Sequence, residues 1–144
     1  MQRLFIIVAA FALSGQSQAP PVIAVRAARM ITGVDDRVVS PAVVVVRGDR
    51  IVSVGGGVPD GARVVDLGPA TLLPGLIDLH THLTSTGVHW EDELLKTTPG
   101  QAALHGAHNA LVTLTAGFTS CRDMGPTWPY TDIDLRKAID EGIV

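Results

Sequence analysis

The chain has 144 residues, one cysteine and a formal charge of −3, from 11 basic and 14 acidic side chains. This length suits one ordinary domain and excludes a complete eight-fold α/β barrel, which takes about 250 residues. The near-balanced charge gives no electrostatic case for a nucleic acid or an anionic membrane as partner.

Residues 1–19 read as a secretory signal peptide. Arg3 places positive charge near the start, and Leu4 to Leu13 is an uninterrupted apolar run. That run is too short to span a bilayer as a helix, and Ser17-Gln18-Ala19 offers small residues for cleavage. An uncleaved anchor is the alternative reading. The expectation is an exported protein, periplasmic or secreted, with no stable membrane span once the signal is removed. Cys121 lacks a disulfide partner in this chain, and is expected to be a small buried hydrophobe.

Residues 20–73 favour short strands. Val22 to Val25 and Val43 to Val46 are rich in β-branched side chains. Gly48-Asp49 separates the second run from Ile51-Val52-Ser53-Val54, which predicts a hairpin with Gly48 at positive φ. Gly55-Gly56-Gly57 and Pro59-Asp60-Gly61 are further breaks, and Val64-Val65-Asp66 is another short strand. Asp36 to Ser40, Asp49 to Ser53 and, more loosely, Ala62 to Asp66 repeat one turn-then-strand pattern. There are too few copies for a solenoid. The segment is predicted to form a small antiparallel sheet.

Pro74-Gly75 then turns the chain into Leu76-Ile77-Asp78-Leu79-His80-Thr81-His82. The run is apolar at most positions before the histidines, as in a parallel strand buried on both faces. Strand side chains alternate, so His80 and His82 share a face, with Cα atoms roughly 6.5 Å apart. Two imidazoles at that spacing can reach one cation. Taken alone, such a pair more often reads as two surface or hydrogen-bonded histidines.

A connection from Leu83 to Thr97 follows, with room for a short helix over Glu91 to Lys96. Trp90 within it either touches substrate or pins the loop. Thr98, Pro99 and Gln101 compose a capping box with proline at the first helical position. Leu104, Ala107, Leu111 and Leu114 then make an apolar stripe at helical spacing, and Gly117 closes the helix. His105 and His108 lie on one face of it, without an evident third ligand. Phe118 to Asp123 is a second strand, so the order predicts a parallel βαβ unit. Arg122 and Asp123 at its end either pair with each other or line the mouth of a site. Thr131 or Asp132 is expected to cap a further helix through Ile139, closed by Gly142. Ile143-Val144 leads toward another strand.

Several of these strings occur together, in order, in one known group. Gly48 to Gly55, Leu67 to His82, and Ala116-Gly117-Phe118-Thr119-Ser120-Cys121-Arg122-Asp123-Met124-Gly125 resemble the metal-dependent amidohydrolase superfamily. The nearest likeness is to its imidazolonepropionase-like and Xaa-Pro dipeptidase-like branch. The resemblance implies an α/β fold: the first two strands and helices of a (β/α)₈ barrel over residues 74–144, behind a small antiparallel β-sandwich portion over 20–73. It implies that His80 and His82 are first-strand ligands of a divalent metal, usually zinc, with one or two ions in the intact protein. The remaining ligands of that family come from later strands, so the chain is expected to be an amino-terminal fragment and inactive alone. Asp78 either orients His80 from behind or makes a structural hydrogen bond at the barrel wall. The implied activity is hydrolysis of a C–N bond in a small-molecule amide or dipeptide by metal-activated water. A deaminase or cyclic-amide hydrolase of the same superfamily, and a non-catalytic secreted β-rich binding module, are the alternatives. Homo-oligomer formation stays open. An incomplete barrel exposes an unpaired strand edge, so the isolated chain is expected to aggregate.

Overall fold

The structure is a computed structural model that describes residues 20–87 and 90–144, with the side chain of Trp90 outside the description. The predicted signal segment and His89 therefore lie outside the described residues. The fold is mixed α/β, and the chain divides between Leu73 and Pro74 into two compact units. No helix among the described residues is long and apolar enough to cross a membrane.

The first unit holds seven strands: β1 (Val22–Ala27), β2 (Arg29–Ile31), β3 (Val38–Val39), β4 (Ala42–Arg47), β5 (Arg50–Val54), β6 (Arg63–Asp66) and β7 (Thr71–Leu72). They form a four-stranded sheet in the order β5-β4-β1-β6 and a three-stranded sheet in the order β3-β2-β7. Valine side chains of β4 alternate across the first sheet. Val43 and Val45 join Ala24 in one small core, while Ala27, Met30 and Ala42 form a second. The β4–β5 hairpin turns at Gly48, whose φ of 60° is one that a residue with a Cβ adopts reluctantly.

The sheet is not purely antiparallel, as the short-range pattern suggested. β6 runs parallel to β1, and β7 parallel to β2. After β5 the chain crosses the sheet and lays β6 on its far edge, where Arg26 meets Asp66 at 2.6 Å. That crossover preserves strand direction, which a hairpin cannot do. The side-chain bond between the two holds the Asp66 carboxyl below its ordinary pKa and the Arg26 guanidinium above its own.

The second unit pairs β8 (Leu76–Thr81) with β9 (Phe118–Asp123) in parallel, with α1 (Trp90–Lys96), α2 (Pro99–Thr115) and α3 (Thr131–Asp140). α2 begins as its sequence dictates. The Thr98 hydroxyl accepts the Gln101 N–H, and the Gln101 side chain accepts the Thr98 N–H. Thr98→Ala should cost about 1 kcal/mol, read as a lower urea midpoint with unchanged slope. Gly117 ends this segment at φ 101°, its N–H on the Leu114 carbonyl. Gly106 gives α2 its approach to the loop after β8, since a Cβ there would stand 2.8 Å from Thr84 Cγ2 and 3.0 Å from Leu135 Cδ2.

Four expectations for this unit fail, three of them for one physical reason. β8 is largely exposed rather than buried on both faces: Ile77 is 64% and Leu79 63% accessible. The α2 stripe is also bare, with Leu104 74% exposed and Leu111 and Leu114 more than half so. Cys121 is exposed rather than a buried hydrophobe. Among the described residues β8 pairs with β9 alone, so apolar groups patterned for burial face outward. The fourth concerns α3. Its N-cap is Tyr130 at φ 68° with no side-chain cap. The Thr131 hydroxyl instead donates to the Trp128 carbonyl and accepts from the Thr84 hydroxyl, so it is spent on other bonds.

Candidate metal centre

The alternation of β8 brings the two histidines together. The rings of His80 and His82 are exposed, with centroids 5.4 Å apart and planes at 67°. His82 lies one residue past the strand end, where its Nδ1 is 2.7 Å from the carbonyl oxygen of Gly125. A carbonyl can only accept, so Nδ1 carries the proton. In the neutral ring this leaves Nε2 with the lone pair.

Asp78 acts on the same strand, but on the backbone. Its Oδ1 accepts the N–H of His80 at 3.0 Å, so the carboxylate engages the main chain rather than the ring. Arg122 and Asp123 do not pair with each other. The Arg122 Nε donates to the Leu79 carbonyl at 3.0 Å, which ties β9 to β8. Asp123 is half-buried and accepts two main-chain N–H groups, from Leu83 through Oδ2 and from Gly125 through Oδ1, each at 2.9 Å. Neighbouring charges on a strand separate here because each is claimed by backbone across the β8–β9 seam.

The loop after His82 is held from three elements. Asp123 of β9 takes the Leu83 N–H. Asn109 of α2 donates to the carbonyls of Leu83 and Ser85 at 2.8 and 3.1 Å. Glu93 of α1 is buried and accepts from Ser85 Oγ at 2.8 Å, Thr127 Oγ1 at 2.5 Å, and the amide and hydroxyl of Thr86. Burial raises the Glu93 pKa, but donors from Thr127, Thr86 and Ser85 outweigh it and bring it down to about 2. The carboxylate is therefore a fixed anion that joins the loop after β8 to the loop after β9.

Sequence reasoning missed Glu93 and Asn109. Glu93 follows Glu91 and Asp92 in the acidic first turn of α1, a pattern that reads as a solvated helix start. Asn109 is one polar residue in a helix rich in small side chains. Neither carries a local signal, because their partners are 7 to 34 residues away in sequence. His105 and His108 are both exposed on α2. Among the described residues no group of three or more His, Cys, Asp or Glu side chains could hold a metal ion. The two β8 imidazoles therefore stand as a pair, one short of the three protein ligands of a catalytic zinc site.

Residues 71–144 match the amidohydrolase family, and the chain belongs to it. Among curated relatives, a dihydroorotase of Mycobacterium leprae is 43% identical over 65 residues, covering 44% of this chain and 15% of the relative. An allantoinase of Streptomyces avermitilis is 40% identical over 93 residues, covering 62% and 20%. Among solved structures, a Xaa-Pro dipeptidase with methionine bound in its active site superposes with a TM-score of 0.72 at 28% identity, covering 85% of this chain and 31% of that one. The ochratoxinase of A. niger gives 0.68 at 26% identity, covering 87% and 29%. The chain thus spans about a fifth or less of these curated relatives.

Proposed function

We propose that this chain forms the amino-terminal part of an exported, metal-dependent amidohydrolase, with β8 and β9 as the first two strands of its (β/α)₈ barrel. His80 and His82 hold a divalent cation, zinc, and the enzyme hydrolyses a C–N bond in a small-molecule amide or dipeptide. The observation that carries this reading is the pair of exposed imidazoles at one strand end, with Nδ1 of His82 already committed to a carbonyl. It falls inside the segment matching the family. The neutral donor set suits zinc, which takes imidazole nitrogen readily.

When bound, such a cation polarises a carbonyl and lowers the pKa of its water toward about 7. The residues of this chain prepare for that in three ways. His82 keeps Nε2 free by spending Nδ1 on Gly125. Asp78 fixes the main chain at His80. Glu93, Asn109 and Asp123 hold the following loop, so the ligand strand ends in a set geometry. A cyclic-amide hydrolase or deaminase is the second reading, and it takes support from the relatives named dihydroorotase and allantoinase. Export rests on the apolar amino terminus.

Zinc titration of the chain is the first test. Either His80→Ala or His82→Ala should weaken binding about tenfold or more, because one imidazole then remains. Equal affinity in the wild type and the double variant would remove the site. Activity belongs to a polypeptide continuing past Val144: zinc in that protein, with cleavage of dipeptides against cyclic amides, decides between the two readings. With two protein ligands, the 144-residue chain should show no turnover.

A further inference from the structure

We infer that Asp123 is a positioning residue that sets the tautomer of His82, an inference that rests on His82 being a metal ligand. The two oxygens of this carboxylate grip both ends of one interaction. Oδ2 takes the N–H of Leu83, the residue directly after His82, at 2.9 Å. Oδ1 takes the N–H of Gly125 at 2.9 Å, and the carbonyl of that same residue accepts His82 Nδ1 at 2.7 Å. Gly125 sits at φ 126°, a conformation that side-chain-bearing residues rarely adopt, so its carbonyl direction depends on being held. The Met124 N–H on the Thr81 carbonyl, at 2.8 Å, closes the link from the other side.

A lone imidazole in water exchanges between two tautomers, and only one presents Nε2 as a donor of electrons. A fixed carbonyl opposite Nδ1 selects that one, since the alternative tautomer would put two lone pairs face to face. Asp123 supports that carbonyl by anchoring the N–H of the residue that bears it and the N–H of the residue next to the ring. Arg122 is turned to Leu79 and leaves the carboxylate to these two amides. Asp123 thus touches neither metal nor substrate, and acts through His82.

The test uses the metal-free 144-residue chain labelled with ¹⁵N-histidine, read by magic-angle spinning at about pH 8, where an ordinary imidazole is neutral. This readout serves dissolved and associated protein alike. In the wild type, His82 should show a protonated Nδ1 and a bare Nε2, while exposed His105 and His108 show the free mixture. Asp123→Ala should move His82 to that mixture and weaken zinc about tenfold to a hundredfold. Asn109→Ala loosens the same loop without touching the clamp, and should leave the His82 tautomer as it was. Asp123→Asn keeps one accepting oxygen, should fall between, and carries the test if the alanine variant loses the amide protection of β9. A wild-type His82 protonated on Nε2, or an Asp123 variant with protected β9 and unchanged tautomer, overturns the inference. A correct tautomer shift in a chain that binds no zinc leaves the clamp standing and removes the metal reading instead.

Discussion

Glu93→Ala should destabilise the second unit by about 3 kcal/mol. The residue is only 5% exposed and ends four hydrogen bonds, from Ser85, Thr127 and both donors of Thr86. Its removal takes the carboxylate acceptor away from the buried Ser85 hydroxyl and the half-buried Thr127 hydroxyl. Glu93→Gln keeps the shape but offers one oxygen where two were used, so it should cost less. The wild type also carries a pH signature. A carboxyl at about 2 in the fold against 4.5 in the unfolded chain binds its proton more readily when unfolded. Its stabilisation, of order 2–3 kcal/mol by linkage, is full above about pH 4.5 and disappears as pH falls through about 2. Denaturant midpoints taken across that window should fall in the wild type, and the fall should be smaller by this amount in Glu93→Gln. Parallel pH curves for the two proteins would show that this carboxylate is not held as an anion.

The elements with local codes are the ones that could be read from sequence. Thr98-Pro99-Gly100-Gln101 writes a helix start into four residues, and the structure holds both bonds of the box. Gly48 writes a hairpin, and β9 spans the six residues predicted for it, Phe118 to Asp123. The facing of His80 and His82 follows from strand alternation alone. What the pattern cannot carry is which distant group answers a polar side chain. Glu93, Asn109 and Asp123 each reach a residue 7 to 40 positions away, Asp123 binding its near neighbour Gly125 as well, and Gly125 enters the site through its main-chain carbonyl. Exposure was misjudged for a related reason. Hydrophobicity in β8, α2 and β9 records what these faces are composed to bury, and the described residues do not supply the neighbours. The same patterning that predicts a strand buried on both faces therefore leaves Ile77 and Leu79 in solvent here.

Gly75→Ala should disrupt the β8–β9 pairing by about 3 kcal/mol or more, because there is no space for the added carbon. A Cβ at Gly75 would stand 2.0 Å from Thr119 Oγ1, 2.3 Å from its Cγ2 and 2.6 Å from its Cβ. Rotating the threonine relieves the first two clashes but not the third, whose position is fixed by the backbone. The strands must then separate at their start, where Leu76 donates to the Gly117 carbonyl at 2.9 Å. Thr119→Gly removes the obstructing atoms at a cost of roughly 1 kcal/mol, through lost strand preference and added chain entropy. The double variant should therefore be more stable than Gly75→Ala alone, with a coupling energy of about 2 kcal/mol or more in a double-mutant cycle. Separation at Leu76 also shifts β8 along β9, so Gly75→Ala should loosen the His82–Gly125 bond at the far end of the same seam, and Thr119→Gly should restore it. Additive costs, with no recovery in the double variant, would mean that the close approach of these two strands does not govern their pairing.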